Sequence, residues 1–149
     1  MSETQMDPAA ATAMVHAAVP AAGLLGIEVA EVGPGLVVLT MPLNPNHLGT
    51  MYAGAMAAMA ELPGGILPLT VVPGRVAPIV TDLSMTFVKA ARSAVTLNAR
   101  MDPAELERLA AEAENVGRAE FVLDLEVKDA DDVVVATSHG VYQLRPPRT

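Results

Sequence analysis

From Leu48 through Gly74 the chain carries a single charged side chain, Glu61, in a stretch otherwise made of small and apolar residues. Its first part, residues 51–62, is rich in alanine and methionine, which favour helix, and it offers almost no polar face. A helix that is apolar all round has to be enclosed, so the rest of the chain is expected to wrap it. A carboxylate in such surroundings is expensive unless it is paired, reaches water, or holds a proton more tightly than usual. Glu61 is therefore a site candidate; the plain alternative is that it emerges into solvent just before Pro63. A membrane-spanning reading of residues 53–72 is set aside, because Glu61, Pro63, Gly64, Gly65 and Pro68 interrupt it.

The wrapping material is legible as strands. Residues 26–32 and 36–43 are rich in β-branched and leucine side chains and are joined by Gly33, Pro34 and Gly35, a hairpin signal. Ile79, Leu83, Met85 and Phe87 alternate with polar neighbours, as do Val95, Leu97, Ala99 and Met101, and then Phe121, Leu123, Leu125 and Val127; residues 133–144 form a last, more apolar run. Asp7 and Pro8 start a helix over about 8–19, which Pro20 is expected to close. Asp102, Pro103 and Glu105 start another over about 103–115, with a carboxylate-rich solvated face and an end near Gly117. Pro63, Gly64 and Gly65 are expected to break the central helix and return the chain to strands. The expectation is one α+β domain over residues 1–149: an antiparallel sheet of about six strands around one helix.

Composition narrows the function classes. Hydrophobic residues make up 52% of the 149 and charged residues only 17%, against ~25% charged in ordinary soluble domains, which points to surface buried against another subunit. A net charge of −8 and only four aromatic residues, Tyr52, Phe87, Phe121 and Tyr142, argue against a nucleic-acid surface. With no cysteine there is no disulfide, thiolate metal site or thiol nucleophile. No spacing joins His16, His47 and His139 into a metal site, and Ser84, Ser93 and Ser138 lack a nucleophile-elbow setting. The N-terminal residues lack the basic region of a secretory leader and carry Glu3 and Asp7 instead, so a cytoplasmic protein is expected.

A geometric consequence follows if Glu61 reacts. The start of a helix offers unpaired N–H groups to an oxyanion, and Gly54 in the first turn allows a close approach to the backbone. Ala53 and Glu61 are eight residues apart, about 12 Å along a helix axis, too far to act on one carbonyl. Base and oxyanion donor would then come from two copies whose central helices lie antiparallel across a two-fold axis.

The run Asn46, His47, Leu48, Gly49, Thr50, Met51, Tyr52, Ala53, Gly54, followed by Glu61, closely resembles the signature of hotdog-fold acyl-CoA thioesterases of the phenylacetate-degradation type. It is closer still to a thioesterase-like branch reading Asn-His-x-Gly-Thr-Met with a helix ending Ala-Glu, and the similarity covers roughly residues 24–144. The resemblance implies the hotdog fold, homodimers or dimers of dimers, and an acyl-CoA thioester as substrate, with no cofactor beyond that CoA and no metal. It maps the helix acid on Glu61, the loop asparagine on Asn46 and the oxyanion-hole N–H on Ala53. Where better known members carry histidine and glycine, this chain has Tyr52 and Ala53.

On that reading Glu61 activates water or attacks directly, and Asn46 orients the water or the thioester. His47, Tyr52 and Gly54 line the substrate, Thr81 holds the hydrolytic water, and Lys89 and Arg92 meet the CoA phosphates. An acyl pocket of methionine and alanine suits a medium or aryl chain. The alternative raised by Tyr52 and Ala53 is a non-catalytic acyl-CoA-binding or regulatory hotdog protein. A hydratase of the same fold ranks third, with His47 as its only nearby histidine.

Overall fold

The computed structural model describes residues 6–148, so Glu3 of the leader reading lies outside the described residues. Alternating side chains become strands with one buried and one exposed face: β4 (Val95–Arg100) and β5 (Ala119–Lys128) bury every other residue without a break. With β1 (Glu28–Gly33), β2 (Leu36–Met41), β3 (Ala77–Phe87) and β6 (Val134–Arg145) they form one antiparallel sheet in the order β1-β2-β4-β5-β6-β3. The β1–β2 hairpin turns at Gly35, whose φ of 71° and contact with the Met101 carbonyl leave no room for a side chain.

The inner face of this sheet, including Leu39, Met41, Leu97, Leu123 and Val127, encloses the predicted helix, α3 (Ala53–Glu61). Ala55, Met56, Met59 and Ala60 of α3 are buried, and enclosing each methionine contributes roughly 1.5–3 kcal/mol relative to leaving it in water. The α+β hotdog architecture read from the sequence is the one observed.

Two breakers did not break. Pro63, Gly64 and Gly65 open a further helix, α4 (Pro63–Leu69), instead of returning the chain to strand. Leu62 between α3 and α4 keeps helical angles, and Pro63 occupies a first helical position, where a missing N–H does no harm. The central element is thus a helix with a proline joint: α3 packs against β5, β6 and β3, and α4 carries on against β3, β2 and β4. In the same way Pro20 does not simply close α1 (Pro8–Ala18) but begins α2 (Pro20–Leu24).

The two edges of the sheet are finished differently. Along β1, α1 supplies side-chain partners: the Thr12 hydroxyl accepts from the Val29 N–H at 2.9 Å, and His16 Nε2 lies 2.6 Å from the Ile27 carbonyl just before the strand. His16 is therefore half-buried and bonded to the chain just before β1. At the other edge, β3 pairs only with β6, and its eleven residues are exposed or half-buried on both faces. Helix α5 (Pro103–Val116), capped by Asp102 and ended by Gly117 at φ 90°, buries Leu106, Leu109, Ala110 and Ala113. Its acidic face pairs with arginines: Arg75 bridges Glu107 and Glu114, and Arg108 bridges Glu105 and Glu112. Among the described residues no helix is long and apolar enough to cross a membrane.

Candidate active site

The signature residues build a closed loop that delivers the start of α3. Asn46 is its clasp: its side-chain oxygen accepts from the Leu48 N–H (2.9 Å) and the Thr50 N–H (3.2 Å), while its amide nitrogen donates to the Thr50 hydroxyl at 2.9 Å. Gly49 turns the loop at φ 76°. This engages the Asn46 carboxamide within its own loop, in the manner of a turn residue. His47 is exposed at the tip of the same loop.

The loop is tied down on both sides. The Tyr52 N–H donates to the Asn44 carbonyl and the Met51 N–H to the Ala91 carbonyl, each at 2.8 Å. The second bond brings the segment after β3, with Lys89 and Arg92, beside the start of α3. Both cations are exposed, and among the described residues neither makes an ion pair.

Tyr52 is the N-cap of α3, and no side chain caps the helix there. Its carbonyl accepts from Ala55 and Met56; the N–H groups of Ala53 and Gly54, ahead of them in the first turn, have no acceptor within the helix. Both residues are exposed. The Tyr52 ring folds back over the first turn, and a Cβ on Gly54 would lie 2.6 Å from it. In the single chain the space beside Gly54 is taken by this tyrosine ring.

Glu61 ends α3 half-buried, one helix length from Ala53. Burial raises its carboxyl above the ordinary carboxylate range, and among the described residues no cation pairs with it. The Tyr142 hydroxyl donates to the Glu61 backbone carbonyl at 3.1 Å. Sequence reasoning passed over Tyr142, which lies 81 residues from Glu61 along the chain and meets it only through the fold. Thr81 sits at an irregularity of β3, its hydroxyl donating to the Val141 carbonyl at 3.2 Å. His139 lies on the outer face of the sheet with Nδ1 2.6 Å from Asp124. Two open concavities of the single chain, of about 540 Å³ beside Glu112, Arg118 and Gln143 and about 320 Å³ beside Ser84, Asp124 and His139, are lined by other residues than Glu61 and Ala53.

One chain thus brings Asn46, His47, Tyr52, Ala53, Gly54, Lys89 and Arg92 into one neighbourhood at the start of α3 and sets Glu61 at its other end. Comparison with known proteins agrees with the fold. A protein of unknown function from Pseudomonas aeruginosa, described as a probable thioesterase, shares 35% identity over 98% of this chain and 100% of its own, with a TM-score of 0.88. A protein of unknown function from Chlorobaculum tepidum aligns at 16% identity over 99% and 100% (TM-score 0.82). A thioesterase from Haemophilus influenzae aligns at 14% over 97% and 94% (TM-score 0.73). No curated protein matches significantly. The family model described as domain of unknown function (DUF4442) matches residues 8–142. The chain belongs to that family, and its fold is the hotdog fold of the thioesterases with which it aligns from end to end.

Proposed function

We propose that the protein hydrolyses acyl-CoA thioesters at two equivalent sites, each built from Glu61 of one copy and the first turn of α3 of another. The observation that carries this is Glu61: a half-buried carboxylate without a cationic partner, its proton held more tightly by burial, on a helix that otherwise presents alanine and methionine. A carboxylate strengthened as a base in this way is better suited to take up a proton from water. The 35% identical relative, a probable thioesterase over its full length, supports the same chemistry.

In this reading the thioester oxygen rests on the unpaired Ala53 N–H, where the helix dipole also favours negative charge. Glu61 takes a proton from water as that water attacks the carbonyl carbon; the C–S bond breaks, the CoA sulfur leaves and is protonated, and a carboxylic acid remains. Direct attack by the carboxylate, with water hydrolysing the resulting anhydride, uses the same geometry. Asn46 contributes by clasping the loop, His47 and Tyr52 flank the acyl group, and Lys89 and Arg92 face the CoA phosphates. Thr81 lies near the joint between copies and is the candidate to hold the water. No cofactor enters beyond the CoA of the substrate.

The open edge of β3 supports the dimer. A long exposed edge strand invites pairing with another chain, and pairing with a second β3 removes the exposed edge from both copies. The chain has no cysteine, so a thiol-reactive dye reports released CoA without background from the enzyme. With short, medium, long and aryl acyl-CoA substrates the wild type turns over at least one class, and Glu61→Gln remains a folded dimer with kcat reduced at least about 100-fold. Full turnover by Glu61→Gln would refute the assignment.

A further inference from the structure

A proline inside a helical run leaves carbonyls of the preceding turn without their usual donors. At the α3–α4 joint Pro63 has no N–H for Met59, and the Gly65 N–H donates to the Leu62 carbonyl at 3.0 Å. The carbonyls of the last turn of α3 meet instead the hydroxyl of Tyr142, 3.1 Å from the Glu61 oxygen and 3.5 Å from that of Ala60.

The position of that hydroxyl is closely determined. Tyr142 is among the most buried side chains, at 1% exposure. Its ring stacks on Phe121 with centroids 5.3 Å apart. A Cβ on Gly64 would fall 1.9 Å from the ring and one on Gly140 2.7 Å from it, so one glycine on the helix and one on the strand form a slot that only a side-chain-free backbone leaves open. Burial and the nearby Glu61 charge, in that order, push the phenol up to about 12, so it remains a donor at working pH.

We propose that Tyr142 is a positioning residue for Glu61: its hydroxyl supplies the donor that the Glu61 carbonyl lacks where the Gly65 N–H turns to Leu62, and its slotted ring fixes the direction in which the carboxylate leaves α3. This rests on Glu61 being the reacting carboxylate. Apart from Tyr142, the elements packed on α3 turn few titratable groups towards it. Helix α4 has none; Asp82 of β3, Glu120, Asp124 and Glu126 of β5, and His139 and Arg145 of β6 are exposed; Lys128 is held near Asp132 at 3.7 Å. Loss of the phenol hydroxyl lets the freed carbonyl seek water, which hydrates the end of α3 and draws the Glu61 carboxyl back towards its ordinary value.

The test compares wild type, Tyr142→Phe and Glu61→Gln on the acyl-CoA that the wild type hydrolyses best. Tyr142→Phe keeps the ring in its slot; the expected result is a KM within about twofold, a kcat lower by about ten-fold, and an acid limb of the kcat–pH profile moved to lower pH. An inactive Glu61→Gln beside a Tyr142→Phe of wild-type kcat and pH limb overturns the positioning role and leaves the Glu61 reading intact. A fully active Glu61→Gln overturns both. Because the loss of the hydroxyl can also unfold the chain, a second measurement stands independently: 3-fluorotyrosine labelling gives two fluorine resonances, assigned with Tyr52→Phe. The Tyr142 resonance is expected to titrate at the midpoint of the acid limb in wild type and to stay flat in Glu61→Gln; a resonance indifferent to pH in wild type overturns the proposal.

Discussion

Glu61 ties the proposed chemistry to the stability of the chain. Its proton is held more tightly in the folded protein than in the unfolded one, because the charged form loses hydration where the helix ends. Activity that needs the carboxylate therefore rises with pH through a limb lying above the ordinary carboxylate range, measurable as kcat against pH. The linkage runs the opposite way for stability: a group whose pKa is raised on folding contributes fully below its unfolded pKa, and that contribution is lost as pH rises through the folded value. Glu61→Gln is accordingly expected to melt at a higher temperature than wild type at neutral pH, with the difference shrinking in acid. Equal melting at both pH values would mean that the carboxylate is fully hydrated in the folded state. That Glu61 is the exceptional residue of its region was legible from composition alone; the tyrosine beneath it was not, because Tyr142 and residues 60–64 are far apart in sequence and meet only through the register of β6.

At the scale of elements, periodicity was a good guide wherever a strand had one buried face: β4 and β5 follow their alternation residue by residue. β3 is different, exposed on both faces as an edge strand, and its alternation spoke only of the side turned to the core. The errors fell on prolines. By local sequence Pro20 and Pro63 read as stops, but each stands at a first helical position, where the ring constrains φ favourably and the missing N–H is one that the helix it begins does not need. Local chemistry permitted both readings, and packing of α4 against β2, β3 and β4 decided between them. Two consequences can be measured by chemical denaturation. Gly64→Ala places a methyl group inside the Tyr142 ring and is expected to lose about 3 kcal/mol, whereas Gly65→Ala, where a Cβ meets nothing within 4 Å, is tolerated. Thr12→Val leaves the Val29 N–H without its acceptor and is expected to lose about 1–2 kcal/mol; an unchanged midpoint would show that water replaces the hydroxyl.

Across the whole molecule, the fold separates what the proposed chemistry would unite. The single α3 carries its unpaired amides at one end and its carboxylate at the other, and one edge of the sheet is dressed by α1 while the other stays open. The eight-residue separation of Ala53 and Glu61 in the sequence is what points to a site shared between copies, and α3, which runs from one to the other, keeps the two at its opposite ends. Ala53→Pro provides a clean way to remove the oxyanion donor: Ala53 is the first helical residue, and Tyr52 before it, at φ −64° and ψ 129°, already has the extended conformation that proline requires of its predecessor. The most direct test is to mix Glu61→Gln and Ala53→Pro chains, each inactive alone, by co-refolding in equal amounts. If each site takes its carboxylate from one copy and its amide from the other, half the dimers are mixed and each holds one intact site, so about a quarter of wild-type activity returns. A mixture as inactive as its parents would show that base and oxyanion donor do not complement each other across the interface, and would contradict the shared site.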